Sequence, residues 1–239
     1  MINTDLQARI ATVRQRIQAA ETLYHRPPGS VGLIAVSKTF PVSAILDAVA
    51  IGQRAFGESY LREAVEKIDT LAQRPEGADI QWHFIGTIQS NKTRAIAERF
   101  HWVHSIDRYR IAQRLSEQRP ATLPPLNVCI QVNISNEASK SGASAAEVNT
   151  LAHAVAGLPR LRLRGLMSLP APSDHPDHQR AAFQRVNHLQ RQLIADGLPL
   201  DTLSMGMSND LEAAIAEGAT LVRVGTAIFG ARHYRNPSH

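Results

Sequence analysis

From residue 31 onward, short apolar, β-branched runs alternate with longer stretches whose apolar residues recur every three or four positions. The first pattern marks strands buried on both faces, and the second marks helices that bury one stripe. The runs predict strands at Gly32–Lys38, Arg54–Ser59, Gln81–Thr87, Trp102–Asp107, Leu126–Ser135, Leu161–Pro170, Leu200–Ser208 and Leu221–Gly230. Helical segments fall between them. Val42–Ile51 follows Pro41, Asn91–Phe100 opens at a polar cap, and Ser144–Ala156 follows a glycine. His178–Ala195 carries Leu and Val at helical spacing, and Asn209–Glu217 stops at Gly218. Seven connecting helices are expected, with one further helix over residues 3–24 in front of the first strand.

Strict alternation requires parallel strands joined by crossover helices, and eight such units close on themselves. We therefore expect a single α/β domain over residues 1–239, a (β/α)8 barrel of the TIM type. Residues 1–30 form the extra N-terminal helix and lead-in, which takes the place of the missing last helix. An open doubly wound sheet is the alternative, but no Gly-x-Gly-x-x-Gly follows the first strand. The proline-rich stretches Arg26–Gly29, Pro120–Pro125 and Pro170–Pro176 read as loops within the βα rhythm.

Composition narrows the function classes. The formal charge of +5 comes from basic residues spread along helices, as in Arg9, Arg14 and Arg16, and aromatic residues are few. Solvated helix faces explain this better than nucleic-acid binding, although the excess of positive charge favours an anionic small molecule. No apolar run reaches membrane-spanning length, and the polar N-terminus is unlike a signal peptide. Cys129 stands alone, which points to a small core residue and a reducing cytoplasm. A metal site is not indicated.

In a barrel of this kind the carboxyl ends of the strands share one mouth, where chemistry sits. Strand alternation puts Lys38 on the face of Ile34 and Val36. An inward ammonium tends to lose its proton and become a nucleophile for a carbonyl, whereas a lysine at the rim would snorkel to water. Arg223 shares a face with Leu221 and Gly225, so an inward guanidinium there needs an acceptor. Ser208 ends the seventh run before a helix expected to start at Asn209, with Glu212 completing a capping-box pattern. Gly225 and Thr226 end the eighth. Loops after strands seven and eight often hold a phosphate, which suggests a cradle of Ser208, Gly225 and Thr226. An amine, a phosphate cradle and an arginine suit pyridoxal 5′-phosphate, but a class I aldolase acting on phosphosugars would need a similar set.

Several segments carry a resemblance. Ala35–Lys38 (AVSK), Phe56–Glu58, Trp82–Gly86, Gln89–Lys92, Gly165–Met167, Ser204–Ser208 (SMGMS) and Val222–Gly230 (VRVGTAIFG) together resemble the pyridoxal phosphate homeostasis proteins, the YggS-like family. The resemblance runs from about residue 31 to 234. It implies a barrel like the N-terminal domain of alanine racemase and pyridoxal 5′-phosphate held as a Schiff base on Lys38. It further implies that Arg223 contacts the pyridine nitrogen and that Ser208, Gly225 and Thr226 hold the phosphate. His83 and Met205 join the expected cofactor-binding set, and no residue is assigned a catalytic role. The family reads Gly-Glu-Asn-Tyr where this chain has Gly57-Glu58-Ser59-Tyr60, so a polar contact from Ser59 would pass through water. Lys140 would handle cofactor in transit, while Met167, Met205 and Met207 pack beneath the site.

A two-base racemase also needs an acid or base opposite the lysine, which alanine racemase takes from a second domain across a dimer. The present chain ends soon after its eighth strand, and Tyr60, Tyr109 and Tyr234 sit in no motif that would place them. The expectation is a monomeric cytoplasmic carrier that passes cofactor to apo-enzymes, with an amino-acid racemase as the alternative.

Overall fold

The computed structural model describes residues 4–135, 141–171 and 173–231. The described residues contain eight strands: β1 (Gly32–Val36), β2 (Ala55–Glu58), β3 (Gln81–Phe84), β4 (Trp102–Ile106), β5 (Leu126–Val132), β6 (Leu161–Ser168), β7 (Thr202–Ser204) and β8 (Leu221–Val224). Each pairs in parallel with the next, and β1 pairs with β8, so the sheet is a closed eight-stranded barrel. The α-helices outside it are α1 (Thr4–Leu23), α2 (Val42–Ala50), α3 (Leu61–Ala72), α4 (Thr93–Arg99), α5 (Tyr109–Gln118), α6 (Ala145–Ala156), α7 (Pro176–Ala195) and α8 (Leu211–Ala216), and the short α9 (Thr226–Phe229) follows β8.

Sequence chemistry explains several boundaries. Ser144 caps α6 with a full capping box to Glu147, which satisfies two otherwise orphaned amides. Pro176 opens α7 at a position where its missing N–H costs nothing. The leading helix α1 buries Leu6, Ile10, Val13, Ile17 and Ala20 and packs on α8 and α9, filling the gap that a helix after β8 would otherwise leave. It is fixed further by a bidentate pair in which Arg16 Nε and Nη2 donate to Glu212 at 2.7 and 2.8 Å.

Three expectations need correction. Every strand stops short of its expected end, because pairing ceases where the loops splay to form the mouth. The last run is two elements, since the chain turns at Gly225 into α9. The helix expected from Asn209 begins at Leu211, and Glu212 makes no capping box because Arg16 occupies its carboxylate.

Two layers of buried side chains result from the alternation. Ala35, Phe56, Phe84 and Val222 face outward into the apolar layer under the helices. Ile34 and Arg223 lie opposite each other on β1 and β8 and face the barrel axis. Cys129 is fully buried, and burial pushes its thiol up to about 12, so it is an inert core residue.

Candidate active site at the barrel mouth

A cavity of about 500 Å3 opens at the carboxyl ends of the strands. Lys38, Ser208, Arg223, Gly225 and Thr226 all line it, together with Ser59, Asp174 and Met207. Five of the seven residues expected to bind a cofactor therefore meet in one space, although they come from opposite ends of the chain. Lys38 sits half-buried two residues beyond β1, with Val36 lining the same wall, as alternation requires.

Ser208 and the Gly225–Thr226 step meet at the start of α9, where the Ala227 N–H donates to Ser208 Oγ at 3.4 Å. The first amides of a helix have no partner within it and carry partial positive charge, which suits an anion. The carboxylate of Asp210 accepts from the Met207 N–H and that of Glu212 from Arg16, so each is engaged within its own surroundings.

Arg223 is buried, and its Nη1 donates to Ser204 Oγ at 2.6 Å while Nη2 donates to the Ser168 carbonyl at 2.9 Å. Both acceptors are neutral, so the positive charge is hydrogen-bonded without a carboxylate on it. Burial lowers its pKa to about 10, against a smaller opposing pull from Asp210, and leaves the guanidinium protonated at neutral pH.

Behind Arg223 a polar chain crosses the barrel. Ser204 Oγ lies 2.8 Å from His104 Nδ1, and His104 Nε2 lies 2.9 Å from His83 Nδ1. Burial lowers the pKa of both rings, that of His83 to about 3, so both are neutral. A neutral imidazole has one donor and one acceptor, so donation runs in a single direction through the two rings. His83 also stacks on Trp102 at 5.5 Å, and its Nε2 has no hydrogen-bond partner.

His83 and Met205 do not line the cavity. His83 lies deeper in the barrel, and its partner is a second histidine. Met205 follows the inward Ser204 and so turns outward, fully buried in the helix-facing core. Met207 is half-exposed in the cavity wall instead of packed below it, whereas Met167 is fully buried. Ser59 is in the wall. Tyr60 and Tyr109 are exposed and line other surfaces, while Lys140 and Tyr234 lie outside the described residues. Sequence reasoning missed the role of His104, Ser204 and Ser168 around Arg223. Their signal was available, because a buried guanidinium demands acceptors and inward polar residues at neighbouring strand ends are where to seek them.

Comparison with known proteins places this geometry. A profile of the alanine racemase N-terminal domain family matches residues 9–233, a span that holds every motif quoted above. A pyridoxal phosphate homeostasis protein of Pseudomonas aeruginosa is 60% identical over 96% of both chains. That of Escherichia coli K12 is 54% identical over 96% of this chain and 98% of its own. This chain belongs to the pyridoxal phosphate homeostasis protein family. Among solved structures of similar proteins, PipY of Synechococcus elongatus with PLP bound shares 35% identity and superposes with a TM-score of 0.81, covering 94% of this chain and all of PipY. An alanine racemase of Clostridium difficile has the same barrel (TM-score 0.76, 12% identity), and this chain spans 58% of its length. Homeostasis proteins and racemases thus share an architecture. Among the described residues no helix is long and apolar enough to cross a membrane, and no group of His, Cys, Asp or Glu could hold a metal ion.

Proposed function

We propose that this protein binds pyridoxal 5′-phosphate as a Schiff base on Lys38 and serves its intracellular storage and delivery without turning over amino acids. The observation that carries the reading is the convergence of Lys38, Arg223, Ser208, Gly225 and Thr226 on one cavity. Their chemistry fits the cofactor group by group. Lys38 supplies the amine for the aldehyde, and the linkage forms with loss of one water. Ser208, Thr226 and the backbone N–H of Thr226 at the start of α9 would supply donors for the phosphate, and Gly225 keeps that wall clear of a side chain. Arg223 would face the ring nitrogen.

When bound, the cofactor supplies an electron sink whose use the protein governs. A guanidinium held protonated beside the ring nitrogen disfavours protonation there, since two cations would meet. This weakens the sink and supports a carrier. So does the described cavity wall, to which neither Tyr60 nor Tyr109 contributes. The names of the bacterial relatives and the PLP bound to PipY support the same reading. Its recipients would be apo PLP-dependent enzymes, met by a monomer in the cytoplasm, a compartment that suits the free thiol of Cys129.

The test begins with purified protein mixed with pyridoxal 5′-phosphate, reduced with borohydride and mapped by peptide mass. The label should fall on Lys38 and vanish in Lys38→Ala while the far-ultraviolet spectrum is kept. A reducible adduct that persists in Lys38→Ala refutes the linkage. Chiral chromatography after incubation with each enantiomer of alanine and serine should show no sustained inversion. Inversion that depends on Lys38 would make the protein a racemase.

A further inference from the structure

Lys38 occupies the second position of a four-residue turn, Ser37 to Phe40, closed by a hydrogen bond from the Phe40 N–H to the Ser37 carbonyl at 3.0 Å. The third residue, Thr39, has φ of +71°. That sign belongs to a type II turn, whose third position favours glycine and is uncomfortable for a β-branched side chain. Types I and II differ by a flip of the central peptide, here the one joining Lys38 to Thr39. Something must hold the strained flip.

The holding groups come from α3, on the outer side of the barrel. Glu63 Oε1 accepts from the Thr39 N–H at 2.6 Å, the amide that a flip would reverse. Lys67 Nζ donates to the Ser37 carbonyl at 2.9 Å, fixing the first peptide of the turn. It also donates to Glu63 Oε1 at 2.5 Å and Glu58 Oε1 at 2.8 Å, and the Ser37 hydroxyl donates to Glu58 Oε1 at 2.7 Å. Lys67 and Glu58 are buried, so these bonds are scarcely weakened by water. The peptides on both sides of Lys38 are thus tied to one ion cluster, while its side chain lies on the cavity side of the chain.

We propose that Glu63 and Lys67 are positioning residues, which lock the turn that aims the Lys38 amine into the cavity. The inference rests on Lys38 being the attachment point. A misplacement of about 1 Å is worth up to 10²-fold in the rate of a positioned reaction. Releasing the turn should therefore slow attachment while sparing contacts made elsewhere in the cavity.

Glu63 is only half-buried, and the Lys67–Glu58 pair survives its removal, so Glu63→Ala tests the lock without stranding a buried charge. The experiment times borohydride-trappable attachment of pyridoxal 5′-phosphate and, separately, measures affinity for pyridoxine 5′-phosphate, which lacks the aldehyde. Glu63→Ala should slow attachment by about tenfold and leave pyridoxine 5′-phosphate affinity unchanged. Glu63→Gln, which keeps an acceptor, should fall between it and the parent. Adding Thr39→Gly to Glu63→Ala should restore most of the rate, because glycine holds a positive φ unaided. Parental rates in Glu63→Ala, or a loss that Thr39→Gly does not reverse, would overturn the lock. Lys38→Ala runs alongside: attachment that persists there condemns the choice of lysine, whereas its loss there with parental rates in Glu63→Ala condemns the lock alone.

Discussion

A Cβ built on Gly225 would lie 3.3 Å from Val36 Cβ and 3.4 Å from the Val36 carbonyl oxygen, so even a methyl group must push β1 aside by a few tenths of an ångström. A larger side chain has to enter the cavity. Gly225→Val is expected to cost about 1–3 kcal/mol of stability by overpacking, measurable in urea. Its effect on the phosphate should be greater, with at least a tenfold weaker binding of pyridoxal 5′-phosphate in a spectroscopic titration. Phosphate-free pyridoxal should bind the parent far more weakly than its ester does, and equal affinities would rule out the cradle. At this scale the sequence was informative wherever alternation decided the side: Lys38 with Val36, and Arg223 with Gly225. It was less so for Met205, because belonging to a motif does not say which face of the strand a residue takes, and for His83, which takes the inward face but lies deeper than the cavity. Met205 is one step from Ser204, and that single step separates the helix-facing core from the barrel axis.

The closing helix is the element with the largest unshared task. Ile10 in α1 is almost fully buried against the far end of the chain. Ile10→Ala should destabilise the protein by about 2–5 kcal/mol, seen as a lower denaturation midpoint with an unchanged slope. Replacing Arg16, whose partner Glu212 is partly exposed, should cost less than 1 kcal/mol. The eight strands, the leading helix and their order were legible in the sequence because the alternation of periods two and 3.6 is a direct imprint of burial, whereas α9 was not. The strand ends were not. Apolar or β-branched residues continue past the last ladder bond, as in Thr226–Phe229, and only the approach of neighbouring loops decides that they coil into α9 and do not extend β8. The capping pattern at Asn209–Glu212 failed for a similar reason, since a bidentate arginine from a helix about 196 residues away in sequence outbids a local cap.

For the molecule as a whole, neutral histidines inside the barrel set an acid limit. His83 has its pKa lowered to about 3 by burial, and burial lowers that of His104 as well. Between about 3 and the ordinary histidine value the unfolded chain binds protons that the folded protein cannot, so stability rises with pH through that window and is lost as pH falls from about 6.5. His83 alone should withdraw about 2 kcal/mol between pH 7 and pH 5. Urea unfolding at the two pH values checks this, and His83→Gln should flatten the slope. A parent equally stable at both would contradict the neutral rings.

The pairing of β1 with β8 has a consequence in time. The cavity takes Lys38 from the first strand's end and Arg223, Gly225 and Thr226 from the last, so about 185 residues must be translated between its amine and its guanidinium, which takes roughly 10–40 s at ribosomal speeds. Throughout that interval the nascent chain carries the lysine without the opposite wall. A reactive aldehyde meeting it then finds an ordinary solvated amine, and the pocket comes into being only when the last strand leaves the exit tunnel and closes the ring.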